Sequence, residues 1–360
     1  MQSDIQYMRR ALELAKAGQN QVHRNPLVGS IIVKNGEIVA EGAHEQYGGP
    51  HAEVNALQNV SEDPAGATMY VNLEPCTYDG KTPPCVPQII EAGIQRIVIG
   101  TQDPNPRVNG AGIRQLREAG LEVEVGMLEE ESRELNRGFF TQMHTGYPWV
   151  TLKLALTIDG FMAESNGNSR WITGDGSRKK VHQWRAEHNA ILVGSGTVNI
   201  DDPQLTVREV SGRNPIRVII DPKQNIPENA RVLGDEARTV LFQPNKTRQN
   251  HYMSGVDVFT VSVNKQGKFD WDEVLKKLYD EHGILSVFVE GGAEIASTLI
   301  ESERVNELII MTGPKILGSG LSPFHRLSSS LDTDLNMDLV SVEKLGNDVC
   351  SRYHKRNGIE

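Results

Sequence analysis

The chain has 360 residues, of which 38% are hydrophobic and 23% charged, with a formal charge of −10 and three cysteines. That length favours two domains over one, and the composition is ordinary for a globular protein with apolar material for two cores. The acidic balance argues against a nucleic-acid surface, which needs a basic footprint. The odd, low cysteine count argues against a disulfide framework and for a reducing cytoplasmic setting. No apolar stretch reaches membrane-spanning length, and the polar start MQSDIQYMRR does not read as a signal peptide, so neither membrane nor secretion is expected.

In chain order, residues 4–17 place Ile5, Met8, Leu12 and Ala15 on one helical face, and Gly18 is a plausible stop. An apolar run at 27–33, the hairpin dipeptide Asn35-Gly36 and a short strand at 37–40 follow. The pattern then predicts helix 52–59, strand 68–73, helix 86–92, strand 96–100, helix 110–119, strand 121–125 and helix 128–142. This is an α/β layered domain, mostly parallel after its opening hairpin. Gly146 and Pro148 mark a linker, which divides the chain into 1–146 and 147–360. A second α/β series has strands near 149–156, 189–193, 216–220, 238–242, 256–260 and 284–289. The halves share no visible repeat.

His51, Glu53, Cys76 and Cys85 are the most informative residues. His51-Ala52-Glu53 opens a helix, Pro75-Cys76 follows a strand, and Cys85 opens another helix. Zinc takes nitrogen and sulfur donors, and a catalytic site keeps one of its tetrahedral positions for water, so one zinc on His51, Cys76 and Cys85 is expected. Bound water would then ionise near neutral pH, and helix N-termini would favour the thiolates. Glu53, two residues from the ligand His51, suits a proton shuttle. His-x-Glu with Pro-Cys and a second Cys is the zinc-deaminase pattern. A purely structural zinc site would need a fourth ligand, for which His44 is the nearby histidine. The two cysteines are separated by eight residues, 77–84, rather than two, and that loop carries Lys81. Taken alone, Lys81 reads as a solvated loop lysine, and Asn25, Asp103 and Asn105 read as turn residues.

The second half has no dinucleotide fingerprint; Gly194-Ser195-Gly196-Thr197-Val198-Asn199 lacks the third glycine. Val287–Val289 running into Glu290-Gly291-Gly292-Ala293 is a strand-to-helix junction that either grips a phosphate or is simply a tight turn. The stretches 157–160, 169–174 and 201–208 bring Asp, Arg and Trp to loops, which suits a ligand site without naming the ligand. Trp171 reads equally as a core or rim aromatic.

The long Cys–Cys spacer, Asn25-Pro26-Leu27-Val28-Gly29 and Asp103-Pro104-Asn105-Pro106 resemble the bacterial bifunctional deaminase/reductase family of riboflavin biosynthesis, and the later stretches resemble its reductase half, over about residues 2–350. The resemblance implies a cytidine-deaminase-like three-layer domain followed by a dihydrofolate-reductase-like domain that uses NADPH. In the first, Asn25, His44, Lys81, Asp103 and Asn105 would hold a pyrimidine ribotide. In the second, Ala155, Trp171, Thr197, Asp201 and the run Glu290, Gly291, Gly292, Ala293, Glu294, Ile295, Ala296 would contact NADPH. Lys153, Ser169, Thr173, Arg185, Leu205, Arg208 and Glu290 would hold the substrate, and Arg185 and Arg208 suit a phosphate. Lys153 and Asp201 are candidates for passing a proton or polarising the opened sugar.

The implied reactions are hydrolytic deamination of 2,5-diamino-6-ribosylamino-4(3H)-pyrimidinone 5′-phosphate, then NADPH reduction of its ribosyl group to ribityl. A homo-oligomer, dimer or tetramer, is expected, and Cys350 has no evident role. Two other readings stand beside this one. The first is a nucleoside- or tRNA-type deaminase fused to an unrelated ligand-binding domain, against which the acidic charge and the long loop count. The second is a zinc-stabilised binding sensor without turnover, which Glu53 disfavours.

Overall fold

The computed structural model describes residues 2–244, 255–265, 267–324, 327 and 337–356. Its contacts divide the chain into two compact units, Met1–Gly146 and Tyr147–Glu360.

In the first unit, β1 (Gly29–Lys34) and β2 (Glu37–Ala43) form the hairpin turned at Asn35-Gly36. Both of these residues have positive φ, the geometry that a two-residue turn of this kind requires. β3 (Thr68–Leu73), β4 (Arg96–Thr101) and β5 (Glu122–Val125) complete a sheet of order β2-β1-β3-β4-β5. β3 runs antiparallel to β1, and β3, β4 and β5 are parallel. α1 (Gln2–Ala15) and α5 (Glu129–Leu135) pack together on one face. α2 (Ala52–Asn59), α3 (Cys85–Glu91) and α4 (Ala111–Glu118) form a contiguous row on the other, which makes three layers. α2 can lie close on β2 because position 42 is glycine: a Cβ there would come within 2.4 Å of Ala52 O.

The helix expected over 128–142 is two helices, α5 and α6 (Arg137–Thr145), with Asn136 at the break (φ −107°, ψ 19°). The apolar periodicity continues across the break. What interrupts the helix is the buried Asn136 carboxamide, whose bonds go to the backbone of Leu27 instead.

In the second unit a sheet runs β10-β9-β8-β7-β11-β6-β12-β14-β13. Its strands are β6 (Trp149–Thr157), β7 (Ala190–Gly194), β8 (Ile216–Ile220), β9 (Thr239–Pro244), β10 (Val256–Val261), β11 (Ser286–Val289), β12 (Glu307–Gly313), β13 (Met337–Leu345) and β14 (Asp348–Lys355). The strands from β10 through β12 are parallel to their neighbours, and β14 and β13 add an antiparallel edge. α9 (Trp271–His282) and α10 (Ala293–Glu301) cover one face, packing on Val150, Leu152 and Val289. α7 (Asp175–Glu187) and α8 (Ser195–Asp201) cover the other, on Ile191, Val193 and Phe288. Alternate residues of one strand thus serve opposite cores, as a strand buried on both faces requires. Among the described residues no helix is long and apolar enough to cross a membrane.

Candidate active sites

The first site grows from three local structures. His51 sits at the N-cap of α2 in extended conformation, which leaves its ring free of the helix, and Glu53 lies in the first turn. Cys76 follows β3, and its carbonyl accepts the N–H groups of Cys85 and Val86, so the start of α3 is tied to the Cys76 turn. His51 Nδ1 lies 3.4 Å from Cys76 Sγ and 3.3 Å from Cys85 Sγ, and the two sulfurs are 3.6 Å apart.

Among the described residues, these three donors form a group that could hold a metal ion. Tetrahedral zinc with Zn–S of about 2.3 Å and Zn–N of about 2.0–2.1 Å implies donor separations of about 3.5–3.8 Å, so the donor set and its geometry fit zinc. Cys85's hydrogen bond, with His51 beside it, holds the Cys76 thiol below its usual range, while that bond and burial push Cys85 up. Glu53 is 3% exposed, and burial pushes its carboxyl up to about 6.

His44 is not a fourth ligand. Its Nδ1–H donates to Pro50 O (2.9 Å), so its Nε2 is left to accept from Asn25 Nδ2 (3.0 Å). Both ring nitrogens are engaged, and burial holds the ring below the usual histidine range, neutral. It packs edge-on against His51, ring centroids 5.2 Å apart. The carboxamide of Asn25 is thereby oriented, with Oδ1 turned away from His44.

The long loop between the cysteines lies against the site at three points. Thr82 Oγ1 is 3.3 Å from His51 Nε2, Lys81 Nζ stands 4.1 Å over the Tyr47 ring, and Tyr78 OH accepts from Asn105 Nδ2 (3.2 Å). Asp103 and Asn105 are turn residues as well as site neighbours: Asp103 Oδ1 accepts Asn105 N–H, and Asn105 Oδ1 accepts Arg107 N–H. Burial pushes Asp103 up to about 7, and the nearby Glu74 charge adds to this.

Three residues that the sequence reading passed over hold this site together. The buried Glu74 carboxylate accepts backbone N–H groups of Asp103, Gly110, Gly112 and Ile113, joining the Pro75-Cys76 turn to the Asp103 loop and the N-terminus of α4. Buried Asn72 and Asn136 bond the backbone of the segment 27–29.

The second site is a cavity of about 1590 Å³ at the carboxyl ends of β7, β8 and β11. It brings together residues far apart in sequence: Lys153 and Ala155 from β6, Thr197 and Asp201 from α8, and Leu205 and Arg208 from the following loop. Ser169, Trp171 and Thr173 line it from the loop before α7, and Glu290 through Ile295 from the β11–α10 junction. Ala296 does not line it; fully buried on the inner side of α10, it packs in the core, because the helical repeat turns it away from the opening.

Arg185 clasps Glu290 through Nε (2.7 Å) and Nη2 (3.0 Å) and donates from Nη1 to Thr206 O (3.1 Å). Burial opposes the Glu290 charge, but Arg185 outweighs it and holds the carboxyl below its usual range. Arg185 is therefore largely committed to the cavity wall. Arg208 donates to Thr206 Oγ1 (2.8 Å) and from its backbone to His182 Nδ1 (3.1 Å), and is the arginine better placed for a phosphate. His182, also missed from the sequence, lines the cavity, and burial lowers its pKa. Burial also pulls Lys153 below the usual lysine range, with Arg185 adding to this and Glu290 opposing it. Arg170 bridges to Asp201 (3.1 Å), and Trp171, 59% exposed, lies under Arg178 at 4.7 Å. A Cβ on Gly292 would meet only Thr197 Oγ1, 4.0 Å away, so bare backbone at the start of α10 faces open space. That cradle, in a cavity of this size, fits a dinucleotide with its phosphates on the helix N-terminus.

Fold and sites together define an enzyme that joins a zinc deaminase of the cytidine-deaminase type to a reductase of the dihydrofolate-reductase type. Residues 1–101 match the cytidine and deoxycytidylate deaminase zinc-binding region, and residues 148–351 match the RibD C-terminal domain. The chain is 43% identical over 350 residues to riboflavin biosynthesis protein RibD of Aquifex aeolicus, covering 96% of this chain and 97% of that one. It is 39% identical over 363 residues to the Escherichia coli RibD protein, covering 96% and 98%. A solved Thermotoga maritima structure, a diaminohydroxyphosphoribosylaminopyrimidine deaminase/5-amino-6-(5-phosphoribosylamino)uracil reductase, superposes with a TM-score of 0.88 at 39% identity, covering 98% and 99%. The chain belongs to the RibD family of riboflavin biosynthesis proteins.

Proposed function

We propose that residues 1–146 deaminate 2,5-diamino-6-ribosylamino-4(3H)-pyrimidinone 5′-phosphate and that residues 147–360 reduce the product's ribosyl group to ribityl with NADPH. The observation that carries this reading is the three-donor cluster with an acid/base carboxyl buried beside it, in a chain whose other unit holds a dinucleotide-sized cavity.

His51, Cys76 and Cys85 would hold zinc, which when bound would supply the Lewis acid that makes water a nucleophile at neutral pH. Glu53 would carry one proton of the attacking water to the ring nitrogen, and then the proton of the new hydroxyl to the amino group, which leaves as ammonia while the carbonyl forms. A carboxyl buried beside the donor cluster, its pKa raised by that burial, suits a group that both accepts and returns a proton. Asn25 offers Oδ1 to a ring amino group, since its Nδ2 is held by His44. Asp103 and Asn105 contact the sugar, and Lys81 the phosphate.

In the other unit NADPH supplies hydride to the opened sugar carbon. Gly291 through Ile295 would hold its phosphates and Ala155, Trp171, Thr197 and Asp201 the rest of it; all of these residues line the cavity. Arg208, Ser169, Thr173 and Leu205 hold the substrate, and Lys153, with a depressed pKa beside Glu290, gives the proton that balances the hydride. A cytoplasmic homo-oligomer fits an enzyme of soluble metabolites; Leu339 and Val342, 59% and 60% exposed on edge strand β13, support association.

The test is one incubation of the zinc-loaded chain with the diaminopyrimidine phosphate, with and without NADPH. Ammonia should be released in both, and the ribityl product should form only with NADPH. Ammonia release from cytidine or adenosine substrates instead would reject the substrate assignment.

A further inference from the structure

We propose that Asn136 is a positioning residue of the deaminase centre, and that the break between α5 and α6 exists to supply its carboxamide. The inference rests on the deaminase reading above. Asn136 is 3% exposed, in a helical context where a polar side chain has no packing reason to be buried. Its Oδ1 accepts the N–H of Leu27 at 2.7 Å and its Nδ2 donates to the carbonyl of Leu27 at 2.9 Å. One amide side chain thus satisfies both polar groups of one residue, as a neighbouring strand would.

Asn72 on β3 completes the clamp, with Nδ2 on the same carbonyl (3.0 Å) and Oδ1 accepting Gly29 N–H (2.8 Å). The clamped residue lies two positions after Asn25, with Pro26 between them restricting the backbone. Asn25 in turn donates to His44 Nε2 (3.0 Å), and His44 packs on the metal-side His51. A short path therefore runs from the two hydrogen bonds of Asn136 on Leu27 through the covalent stretch Leu27-Pro26-Asn25 to the carboxamide that orients the ring. Without the clamp the 25–28 segment, which precedes β1, is left with fewer fixed backbone contacts. Asn25 then samples geometries from which it cannot meet the substrate.

The experiment uses the full zinc-loaded chain with Asn136→Ala and, to keep the side-chain volume, Asn136→Leu. Four readouts are taken: zinc per chain, amide hydrogen exchange, KM and kcat for ammonia release, and NADPH oxidation on supplied deaminated intermediate. Expected are one zinc per chain, unchanged reduction, faster exchange at the Leu27 amide with β3 and β4 still protected, and a KM for deamination raised about tenfold while kcat moves little. Wild-type KM in a folded variant overturns the proposal. So does zinc loss with general loss of exchange protection in both variants, which would make the residue merely structural. If the wild type itself releases no ammonia, the deaminase reading fails, whereas exchange at Leu27 still reports whether the clamp holds.

Discussion

At the residue scale the deaminase centre has two kinds of member, and only one kind leaves a trace in sequence. His51, Glu53, Cys76 and Cys85 are legible because metal and proton chemistry restrict the residue type, and helix starts restrict the spacing. Glu74, Asn72 and Asn136 bond to backbone groups, which any residue can supply, so nothing at the partner position marks them. Zinc should be lost from Cys85→Ser and retained by Cys350→Ser, because Cys350 lies buried on β14 in the other unit. Metal analysis decides this, and the reverse pattern would reject the ligand set. Glu53→Gln should keep one zinc and lose about 10²–10⁴-fold in ammonia release, since it removes the proposed proton shuttle and none of the three donors. Near-normal turnover by that variant would take Glu53 out of the mechanism. Glu74→Gln is expected to fold less stably by about 1–3 kcal/mol in denaturant titration, because an amide nitrogen would face backbone donors where a carboxylate oxygen now accepts them. Unchanged stability would mean that the two bonds to the replaced oxygen carry no net energy.

At the element scale, the first unit's helices showed through their apolar periodicity, and its central strands, buried on both faces, as short apolar runs bounded by turn residues. It carried the helix over 128–142 straight through Asn136, since one buried amide does not disturb an apolar repeat. It also did not register β12, β13 and β14, which form one side of the second sheet. β13 alternates little, with several apolar residues on its exposed side, so it lacks the signature of a half-buried strand. The anchoring of α1 gives a prediction with a pH dependence. Asp4 accepts from Tyr70 OH at 2.5 Å and from Arg96 at 3.0 Å, and these bonds, the tyrosine's foremost, hold its carboxyl well below the usual carboxylate range. A carboxyl depressed in the folded state contributes stability above its unfolded pKa, about 3.9, and loses it as pH falls towards the folded value. Asp4→Asn should therefore cost about 1 kcal/mol at pH 7, kept modest because the carboxyl is partly solvated, and the gap to wild type should narrow steadily below about pH 4. A gap independent of pH would show that the carboxylate charge is not what anchors the helix.

At the scale of the whole molecule, each of the two units has its own sheet, core and site. The zinc donors, Glu53, Asn25 and His44 all lie before residue 146, and the residues lining the large cavity all lie after residue 147. Chemistry in one site should then be removable without touching the other. Arg208→Ala is the informative variant, because Arg185 is already engaged by Glu290 and Thr206 and cannot easily take over its neighbour's ligand. Loss of a charge-assisted contact worth roughly 1.5–3 kcal/mol should weaken binding of the deaminated intermediate about 10- to 150-fold. NADPH affinity should hardly change, since the cradle proposed for the cofactor is at Gly291 and Gly292, on a different strand end. Ammonia release should match wild type. Glu53→Gln should give the mirror image, with no ammonia but normal NADPH oxidation on supplied intermediate. Measuring NADPH binding, NADPH oxidation and ammonia release separately for both variants distinguishes these effects. Parallel loss of all three in a folded Arg208→Ala chain would contradict two independent sites, and no NADPH binding by the wild type would remove the reductase half of the proposal.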